Sequence, residues 1–140
     1  MDTNFIGSTT ELECILAFTK LGYQVSLPFG GHARYDLLAD VNGKILRIQV
    51  KTSTLKEDGA FIEFDCRNSH YIKGHHVHTT YNEEEIDFFA TIFDGICYLV
   101  PVKECSIAKR LRFIPPKNGQ VKGINFAKDY ELKEVINRIL

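Results

Sequence analysis

A carboxylate, an amide and a lysine are predicted to meet on one face of a short β-hairpin. The string RIQVKTS alternates polar and apolar side chains as a strand does, which puts Gln49 and Lys51 on the face opposite its apolar residues. Asn42 and Gly43, a few residues earlier, form the strongest short-range hairpin signal. Counting outward from a two-residue turn at this pair, Gln49 lies directly opposite Asp36, with Cβ atoms about 5 Å apart, and Lys51 lies on the diagonal.

These residue types suit hydrolysis of a phosphodiester bond with the help of a hard divalent cation. Such a cation prefers oxygen ligands, which predicts Asp36 as the main ligand and the Gln49 side-chain oxygen and the Val50 carbonyl as auxiliary ligands. A bound cation lowers the pKa of its water, and Lys51 would position that water or stabilise the extra charge of the transition state. The alternative is that Asp36 forms an ordinary exposed ion pair with Lys51 or Arg34.

Glu11 is the candidate for a second carboxylate ligand. It also completes the string Ser8-Thr9-Thr10-Glu11, which is the pattern of a capping box, where the glutamate bonds back to the amide of Ser8. Helical pattern alone favours capping over catalysis, although a first-turn glutamate packed over the hairpin could serve both purposes.

The string GHHVH (residues 74–78) raises the question of a histidine metal site. Zinc needs three or four ligands in a closed set, and no cysteine or further histidine lies at the usual spacing. The favoured interpretation is that His75 or His76 approaches phosphates or base edges from a polar loop.

The composition predicts one globular domain over residues 1–140. The chain has 44% hydrophobic and 25% charged residues and no run of about eighteen apolar residues, which predicts neither disorder nor a membrane span. The N-terminus lacks the basic start and apolar stretch of a secretion signal. Four scattered cysteines without a CxxC pair are typical of reduced thiols, so the expected location is the cytoplasm of a bacterial cell or the matrix of an organelle.

Positive charge is concentrated in two segments, although the formal net charge is only −1. Residues 103–122 hold six lysines and arginines against one glutamate, and residues 66–81 hold Arg67, Lys73 and four histidines without any acid. Negative charge clusters in residues 82–94. One-sided charge of this kind is typical of a basic face that binds nucleic acid, and a merely solvated surface is the alternative.

Helices at both ends and a sheet between them are predicted to position these groups. The predicted helices span residues 8–22 and 127–140, and the predicted strands span residues 23–28, 34–41, 44–53, 60–66, 86–93 and 96–102. Residues 60–66 are expected to continue the meander that starts at the hairpin, and Asp94-Gly95 is expected to turn a second hairpin. The basic segment contains Pro115-Pro116 and is expected to be irregular. A mostly antiparallel curved sheet with flanking helices indicates an α/β or α+β domain.

The order of a helix glutamate, a strand aspartate and a strand ending in x-Q-V-K resembles the PD-(D/E)XK nuclease superfamily. More specifically, the strings LPFGGHARYDLL, LRIQVKT, IDFFA, CYLVPV and PPKNGQVKGINFAKDYEL resemble its small homing endonucleases that are encoded in group I introns. The resemblance implies that Glu11 is the helix glutamate, Asp36 the metal-binding aspartate and Lys51 the motif lysine. Tyr35 replaces the signature proline, and Gln49 replaces the acidic motif residue, which removes one negative charge from the site.

The resemblance also implies a fold, a cofactor and partners. The fold is a restriction-endonuclease-like core, in which a mixed curved sheet is flanked by helices. The implied activity is site-specific cleavage of double-stranded DNA with Mg²⁺, or Mn²⁺ as a substitute, by a homodimer or tetramer that cuts both strands. The alternatives are a restriction enzyme or Holliday-junction resolvase of the same fold, a catalytically inactive DNA-binding module, and a structural protein without a nucleic-acid partner.

Cations, histidines and amides of the two basic segments are the predicted DNA contacts, with lysines expected on phosphates. They are Arg67, Lys73, His75, His76, Lys109, Arg110, Arg112, Lys117, Asn118, Gln120 and Lys122. Asn118 and Gln120 have an alternative role as structural turn residues.

Overall fold

The chain folds into two α-helices and ten β-strands, which a computed structural model describes for all 140 residues. The helices are α1 (Thr3–Lys20) and α2 (Leu132–Ile139), and short 3₁₀ turns span Val102–Glu104 and Ala127–Tyr130. The strands are β1 (Gln24–Ser26), β2 (Leu37–Val41), β3 (Lys44–Val50), β4 (Thr54–Lys56), β5 (Phe61–Asp65), β6 (Asn68–Ile72), β7 (His75–Thr79), β8 (Phe88–Phe93), β9 (Ile96–Pro101) and β10 (Ala108–Arg112). This mixture confirms the predicted α+β class. Neither helix combines the length and the apolar character that a membrane crossing would need.

Helix α1 begins at a different cap from the one that the sequence predicts. The carboxylate of Asp2 accepts hydrogen bonds from the amides of Asn4 (2.9 Å) and Phe5 (3.1 Å), which makes Asp2 the N-terminal cap. The predicted capping box at Ser8 is therefore wrong, because Ser8 and Glu11 lie inside a helix that is already formed. The side chain of Glu11 is thus not used as a cap.

A five-stranded sheet carries the predicted hairpin at its centre, in the order β1-β2-β3-β8-β9. Strands β2 and β3 pair antiparallel with Leu37 opposite Ile48, which confirms the two-residue turn and the register counted from it. Phe93 lies opposite Ile96 across the second predicted turn, which confirms the hairpin of β8 and β9.

The expected third strand of the meander lies in a different sheet, so that prediction is wrong. Strand β5 pairs with β4 and β10 in a three-stranded antiparallel sheet, and β8 lies beside β3 as a parallel neighbour. Asp87, just before β8, accepts three hydrogen bonds of 2.8–3.1 Å from Arg47 of β3, which holds the parallel pair together. A parallel neighbour requires a long crossover, and local sequence patterns do not reveal which strand supplies it.

Two segments that were expected to be irregular contain strands. The histidine-rich stretch forms an antiparallel hairpin of β6 and β7, with Ile72 opposite His75 across a turn at Lys73 and Gly74. Most of its side chains are exposed, so it lacks the apolar alternation that predicts a strand. The basic segment includes β10, which pairs with β5, and residues 113–125 are irregular as expected.

The hydrophobic core has two parts, one on each face of the five-stranded sheet. Helices α1 and α2 cover one face through a cluster that includes Phe18, Ile48 and Ile136. The three-stranded sheet and the second 3₁₀ turn cover the other face, where Phe64 and Phe89 are buried. Strands β8 and β9 contribute to both clusters, which is why each reads as an almost unbroken apolar run.

Candidate active site

Asp36 lies at the start of β2, where its side chain takes part in the strand pairing. Its amide donates to the carbonyl of Ile48 (2.8 Å), and its Oδ2 accepts a hydrogen bond from the amide of Val50 (2.8 Å). Burial raises the pKa of Asp36, while the Val50 hydrogen bond and the positive charge of Lys51 act to lower it. The carboxylate is therefore held in one orientation, with Oδ1 open to a ligand.

Gln49 and the carbonyl of Val50 lie beside this carboxylate. The paired register of β2 and β3 ends at Leu37 opposite Ile48, so Asp36 directly precedes the last pair on β2 and Gln49 directly follows it on β3. The half-buried Gln49 side chain makes no hydrogen bond within the chain. The amide and the carbonyl of one strand residue point to the same side of the strand, and the Val50 amide points to Asp36. The Val50 carbonyl therefore points to the same edge, beyond the end of β2. Two further oxygen donors thus accompany the carboxylate.

Lys51 directly follows β3 and is held by contacts from two later segments. Its Nζ donates a hydrogen bond to the carbonyl of Arg67 (2.6 Å) and lies 5.6 Å from the centre of the Tyr81 ring. Burial lowers the pKa of Lys51, and the negative charges of Asp65 and Asp36 oppose that shift. The ammonium group is thus fixed at the edge of the site, and burial makes its proton easier to release than that of an exposed lysine.

Glu11 lies on helix α1, close enough to Asp36 for the two charges to interact. The neighbouring Thr10 is buried, and its Oγ1 lies 3.3 Å from Oγ1 of Thr52, the residue after Lys51. This contact fastens the helix to the end of β3. Burial raises the pKa of Glu11, and the negative charge of Asp36 raises it further. The two carboxylates therefore repel each other, and a shared cation would relieve that repulsion.

The donors at this site fit a hard divalent cation because all of them are oxygens. They are the carboxylates of Glu11 and Asp36, the side-chain oxygen of Gln49 and the carbonyl of Val50. No group of three or more His, Cys, Asp or Glu side chains is arranged to hold a metal ion. The amide of Gln49 occupies the place of a third acid, so the donor set carries two negative charges.

Arg34 and Tyr81 complete the surroundings of Lys51, and the sequence indicated no role for Tyr81. Two cations lie close to the Tyr81 ring, with the Arg34 guanidinium 4.2 Å and the Lys51 Nζ 5.6 Å from its centre. Arg34 also pairs with Glu85 (2.7 Å). Burial raises the pKa of Tyr81, which keeps its hydroxyl protonated. No local pattern links a tyrosine thirty residues downstream to the hairpin, so only the fold reveals this contact.

The predicted DNA contacts differ in how free their side chains are. The exposed lysines and histidines without an ion-pair partner are Lys73, His75, His76, Lys117 and Lys122. Asn118 and Gln120 stabilise a turn, because Asn118 Oδ1 accepts from the Gln120 amide (2.9 Å) and Gln120 Nε2 donates to the carbonyl of Lys122 (3.0 Å).

Four other predicted contacts already have partners within the chain. Three of them bond at the surface: Arg67 to Asp65 (3.0 Å), Arg110 to Glu63 (2.7 Å) and Arg112 to the Ile114 carbonyl (2.9 Å). Lys109 is only 7% exposed, and its Nζ lies 3.6 Å from Oε1 of Glu104. Its ammonium group does not face solvent, so we leave Lys109 out of the proposed DNA contacts.

A mixed sheet with flanking helices thus carries an aspartate, an amide and a lysine at one end of its β2–β3 hairpin. The sequence profile of the PD-(D/E)XK endonucleases matches residues 1–133, so the chain belongs to the PD-(D/E)XK endonuclease family. Among solved structures, the bacterial homing endonuclease I-Ssp6803I is similar, with a TM-score of 0.79 and 23% sequence identity over 100% of this chain and 94% of that one. No curated protein matches the sequence. The family membership confirms the resemblance, and the likeness to the solved structure concerns the fold.

Proposed function

We propose that this chain, as one domain over residues 1–140, is a site-specific endonuclease of the intron-homing kind that hydrolyses phosphodiester bonds of double-stranded DNA. The observation that carries the proposal is the Asp36 carboxylate, tied at Oδ2 to Val50 and open at Oδ1, beside Gln49 and Lys51. The endonuclease family of the chain supports the reaction class. The proposal that the enzyme acts in intron homing is supported by the solved homing endonuclease that shares the fold.

A divalent cation, Mg²⁺ with Mn²⁺ as a substitute, is proposed as the cofactor. Asp36, Glu11, the Gln49 side-chain oxygen and the Val50 carbonyl would hold it. The hydrogen bond from the Val50 amide to Asp36 and the charge interaction between Asp36 and Glu11 support this assignment. When bound, such a cation lowers the pKa of a coordinated water and offsets the negative charge of the phosphate.

The chain's own groups would orient the phosphate and stabilise its charge. Lys51 has one donor bonded to the Arg67 carbonyl, which leaves its other N–H groups to bond a phosphate oxygen where negative charge grows. The Arg34 guanidinium lies 4.2 Å from the centre of the Tyr81 ring and adds positive charge near Lys51. The Val50 amide keeps Asp36 from rotating, so no reorientation of the carboxylate is needed during the reaction.

Cleavage of both strands is proposed to require a homodimer or tetramer, because one chain carries one site for one strand. Phe5, Leu12 and Leu16 lie on one side of α1 at helical spacing and are each more than half exposed, which offers an apolar surface for a second copy. Sedimentation of wild type and of a Leu12→Glu/Leu16→Glu variant tests this surface, with Lys20→Glu as the control on the same helix. A wild type that sediments as a monomer with and without DNA would contradict the oligomer.

We place the protein in the cytoplasm of a bacterial cell or in an organelle matrix. Its four cysteines are free thiols, and three of them are buried, which is typical of a reducing compartment.

Cleavage of a pool of randomised duplexes tests the proposed function. Purified protein is incubated with the pool in Mg²⁺, Mn²⁺ or EDTA, and the cut ends are captured and sequenced. Wild type is expected to cut both strands at a defined sequence with either cation and not in EDTA. Lys51→Ala should bind the same duplexes without cutting them, and Asn137→Ala, an exposed change on α2, should cut like wild type.

Two outcomes of the same experiment would replace the proposal with another function. Binding of a defined duplex by wild type without cleavage in either cation would indicate an inactive DNA-binding module. The neutral Gln49, in place of an acidic residue, is the reason to consider this outcome. Preferential cleavage of four-way junctions over duplexes, in a panel of branched DNAs, would indicate a resolvase.

A further inference from the structure

The hairpin of β6 and β7, which we call the ribbon, forms a two-stranded sheet of its own. Its two faces differ in exposure. One face carries Asn68, His70, Val77 and Thr79, which are half-buried, and ends at the tip with the exposed Ile72 and His75; we call it the inner face. Ser69, Tyr71, His76 and His78 alternate with them and are all exposed, and we call these four the outer face.

The outer-face side chains are ordered by contacts with one another and not by the core. The rings of Tyr71 and His76, which lie opposite each other across the strands, stack at 4.9 Å with planes 9° apart. His76 and His78 rings lie 4.5 Å apart, and Ser69 Oγ bonds Nδ1 of His78 at 2.7 Å. The Tyr71 hydroxyl, both ring nitrogens of His76 and Nε2 of His78 remain available as hydrogen-bonding groups. A row of pre-ordered donors and acceptors loses little side-chain freedom when it binds.

The residues that flank the two strands of the ribbon both lie close to Lys51, the lysine proposed above to act in catalysis. The carbonyl of Arg67, just before β6, accepts the Lys51 Nζ at 2.6 Å, and the ring of Tyr81, just after β7, lies 5.6 Å from the same atom. The position of the ribbon is therefore fixed relative to the phosphate that Lys51 would contact. A DNA phosphate that contacts Lys51 would therefore lie close to the base of the ribbon.

The dimensions and charge of the ribbon fit the major groove. Five-residue strands extend about 17 Å, which is the length of about five base pairs, and a two-stranded ribbon fits a groove about 12 Å wide but not one about 6 Å wide. Residues 66–81 contain no acidic side chain, so nothing in the ribbon repels the phosphates. Lys73 stands at the tip, in a turn whose two residues both have positive φ, where its ammonium can contact a phosphate across the groove.

We propose that the outer face of the ribbon reads base edges in the major groove within about five base pairs of each cleaved phosphate. This inference rests on the proposed endonuclease function, since it places the ribbon relative to the cleaved bond. It assigns sequence reading to Ser69, Tyr71, His76 and His78, of which the sequence had indicated only His76.

Selection from the randomised duplex pool by wild type and by a Tyr71→Ala/His76→Ala variant tests the proposal. Wild type should enrich a motif whose positions near the cut are well defined. The variant should lose the sequence preference at those positions alone, and bind the selected duplex on the order of tenfold to a hundredfold more weakly while its affinity for random duplex stays nearly unchanged. Tyr71→Phe keeps the stacked ring and removes the hydroxyl, so it should cause a smaller loss, and Asn137→Ala should select like wild type.

Modified duplexes identify the groove. Replacing purines near the cut by 7-deazapurines removes a major-groove acceptor and should weaken wild-type binding on the order of tenfold without affecting the double variant. Replacing guanine by inosine removes a minor-groove donor and should change nothing. Equal sensitivity of both proteins to 7-deazapurines would overturn the assignment.

The outcomes separate the ribbon from the proposed function. If the double variant enriches the same motif as wild type, or if wild type enriches none, the ribbon does not read bases. If the motif is lost as expected but wild type never cuts the selected duplex, the ribbon assignment stands and the endonuclease proposal fails.

Discussion

Two hairpins of this protein close with the same turn and serve different purposes. The β2–β3 hairpin turns at Asn42 and Gly43, with φ of 53° and 90°, and the ribbon turns at Lys73 and Gly74, with φ of 50° and 80°. Positive φ at both central residues gives a two-residue turn whose twist matches the twist of the paired strands. Local backbone chemistry is therefore alike in the two regions.

Burial distinguishes the two hairpins. Leu37, Ala39 and Ile48 of the β2–β3 hairpin are completely buried against the helices, whereas no residue of the ribbon is buried. The first hairpin therefore holds its polar face rigidly, which suits the positioning of Asp36 and Lys51. The second keeps its polar face free for a large partner. The difference teaches that a turn determines whether a hairpin forms, and that apolar side chains determine whether it becomes part of the core.

The largest expected effect separates chemistry from recognition. Asp36→Asn should lower the cleavage rate by a factor on the order of 10³ or more and leave the affinity for the selected duplex almost unchanged, because it removes a charge but no base contact. The asparagine oxygen can still accept from the Val50 amide. Burial raises the pKa of Asp36 in the fold, so ionisation at neutral pH opposes folding, and the variant should be at least as stable as wild type.

Cleavage rates and fluorescence anisotropy in EDTA check this prediction. A variant that binds as weakly as the ribbon double variant would show that the two hairpins do not divide chemistry from recognition.

Gln49→Glu is expected to have a smaller effect on the same hairpin. The added carboxylate raises the negative charge of the donor set, so the Mg²⁺ concentration that gives half-maximal cleavage should fall by about tenfold. Gln24→Glu makes the same chemical change on the exposed surface of β1 and serves as the control. An unchanged Mg²⁺ dependence would place Gln49 outside the ligands.

The two turn glycines test the comparison directly. A Cβ atom added at either glycine would have no other atom within 4 Å. Gly43→Ala and Gly74→Ala therefore introduce only the strain of positive φ. Gly43→Ala should lower the melting temperature by roughly 3–6 °C, because about 1–2 kcal/mol is lost from the core hairpin. Gly74→Ala should leave the melting temperature within about 1 °C and accelerate hydrogen exchange only in the ribbon.

Equal losses of melting temperature in the two glycine variants would contradict this distinction, because they would mean that the ribbon unfolds together with the core.

The smallest expected effect concerns the attachment of β3 to β8, for which the ribbon has no equivalent. Burial alone would raise the pKa of Asp87, but its hydrogen bonds from Arg47 hold it below the ordinary value. A lowered carboxyl pKa contributes stability above the unfolded pKa of about 3.9 and loses it as the pH falls through the folded value. Asp87→Asn should therefore cost about 1 kcal/mol at pH 7, discounted for partial exposure, and less in acid.

Urea unfolding across pH checks this value, with Asp129→Asn, an exposed aspartate, as the control. A stability difference between wild type and Asp87→Asn that does not shrink in acid would show that the carboxylate charge contributes nothing to the attachment.

The site could be predicted from sequence as far as its interactions are local. Asn42-Gly43 sets the register of its own hairpin, and the structure confirms that register from Val41 and Lys44 as far as Leu37 and Ile48, next to Asp36 and Gln49. The same local reasoning favoured a capping role for Glu11, which is wrong, because the Ser8 pattern fits a cap while Asp2, six residues earlier, provides it. The strands of the ribbon were missed because exposed polar strands lack the periodicity that burial imposes.

The sequence by itself determined both turns of the five-stranded sheet, the polar face of β3 and the family that this face identifies. Those features depend on backbone preferences within a few residues and on alternation along one strand. Only the tertiary structure decided that β8 lies parallel to β3, that Thr10 contacts Thr52 next to Lys51, and that Tyr81 lies close to both Arg34 and Lys51. Contacts between distant segments depend on how whole faces pack, and any one segment is compatible with several such packings until the core selects one.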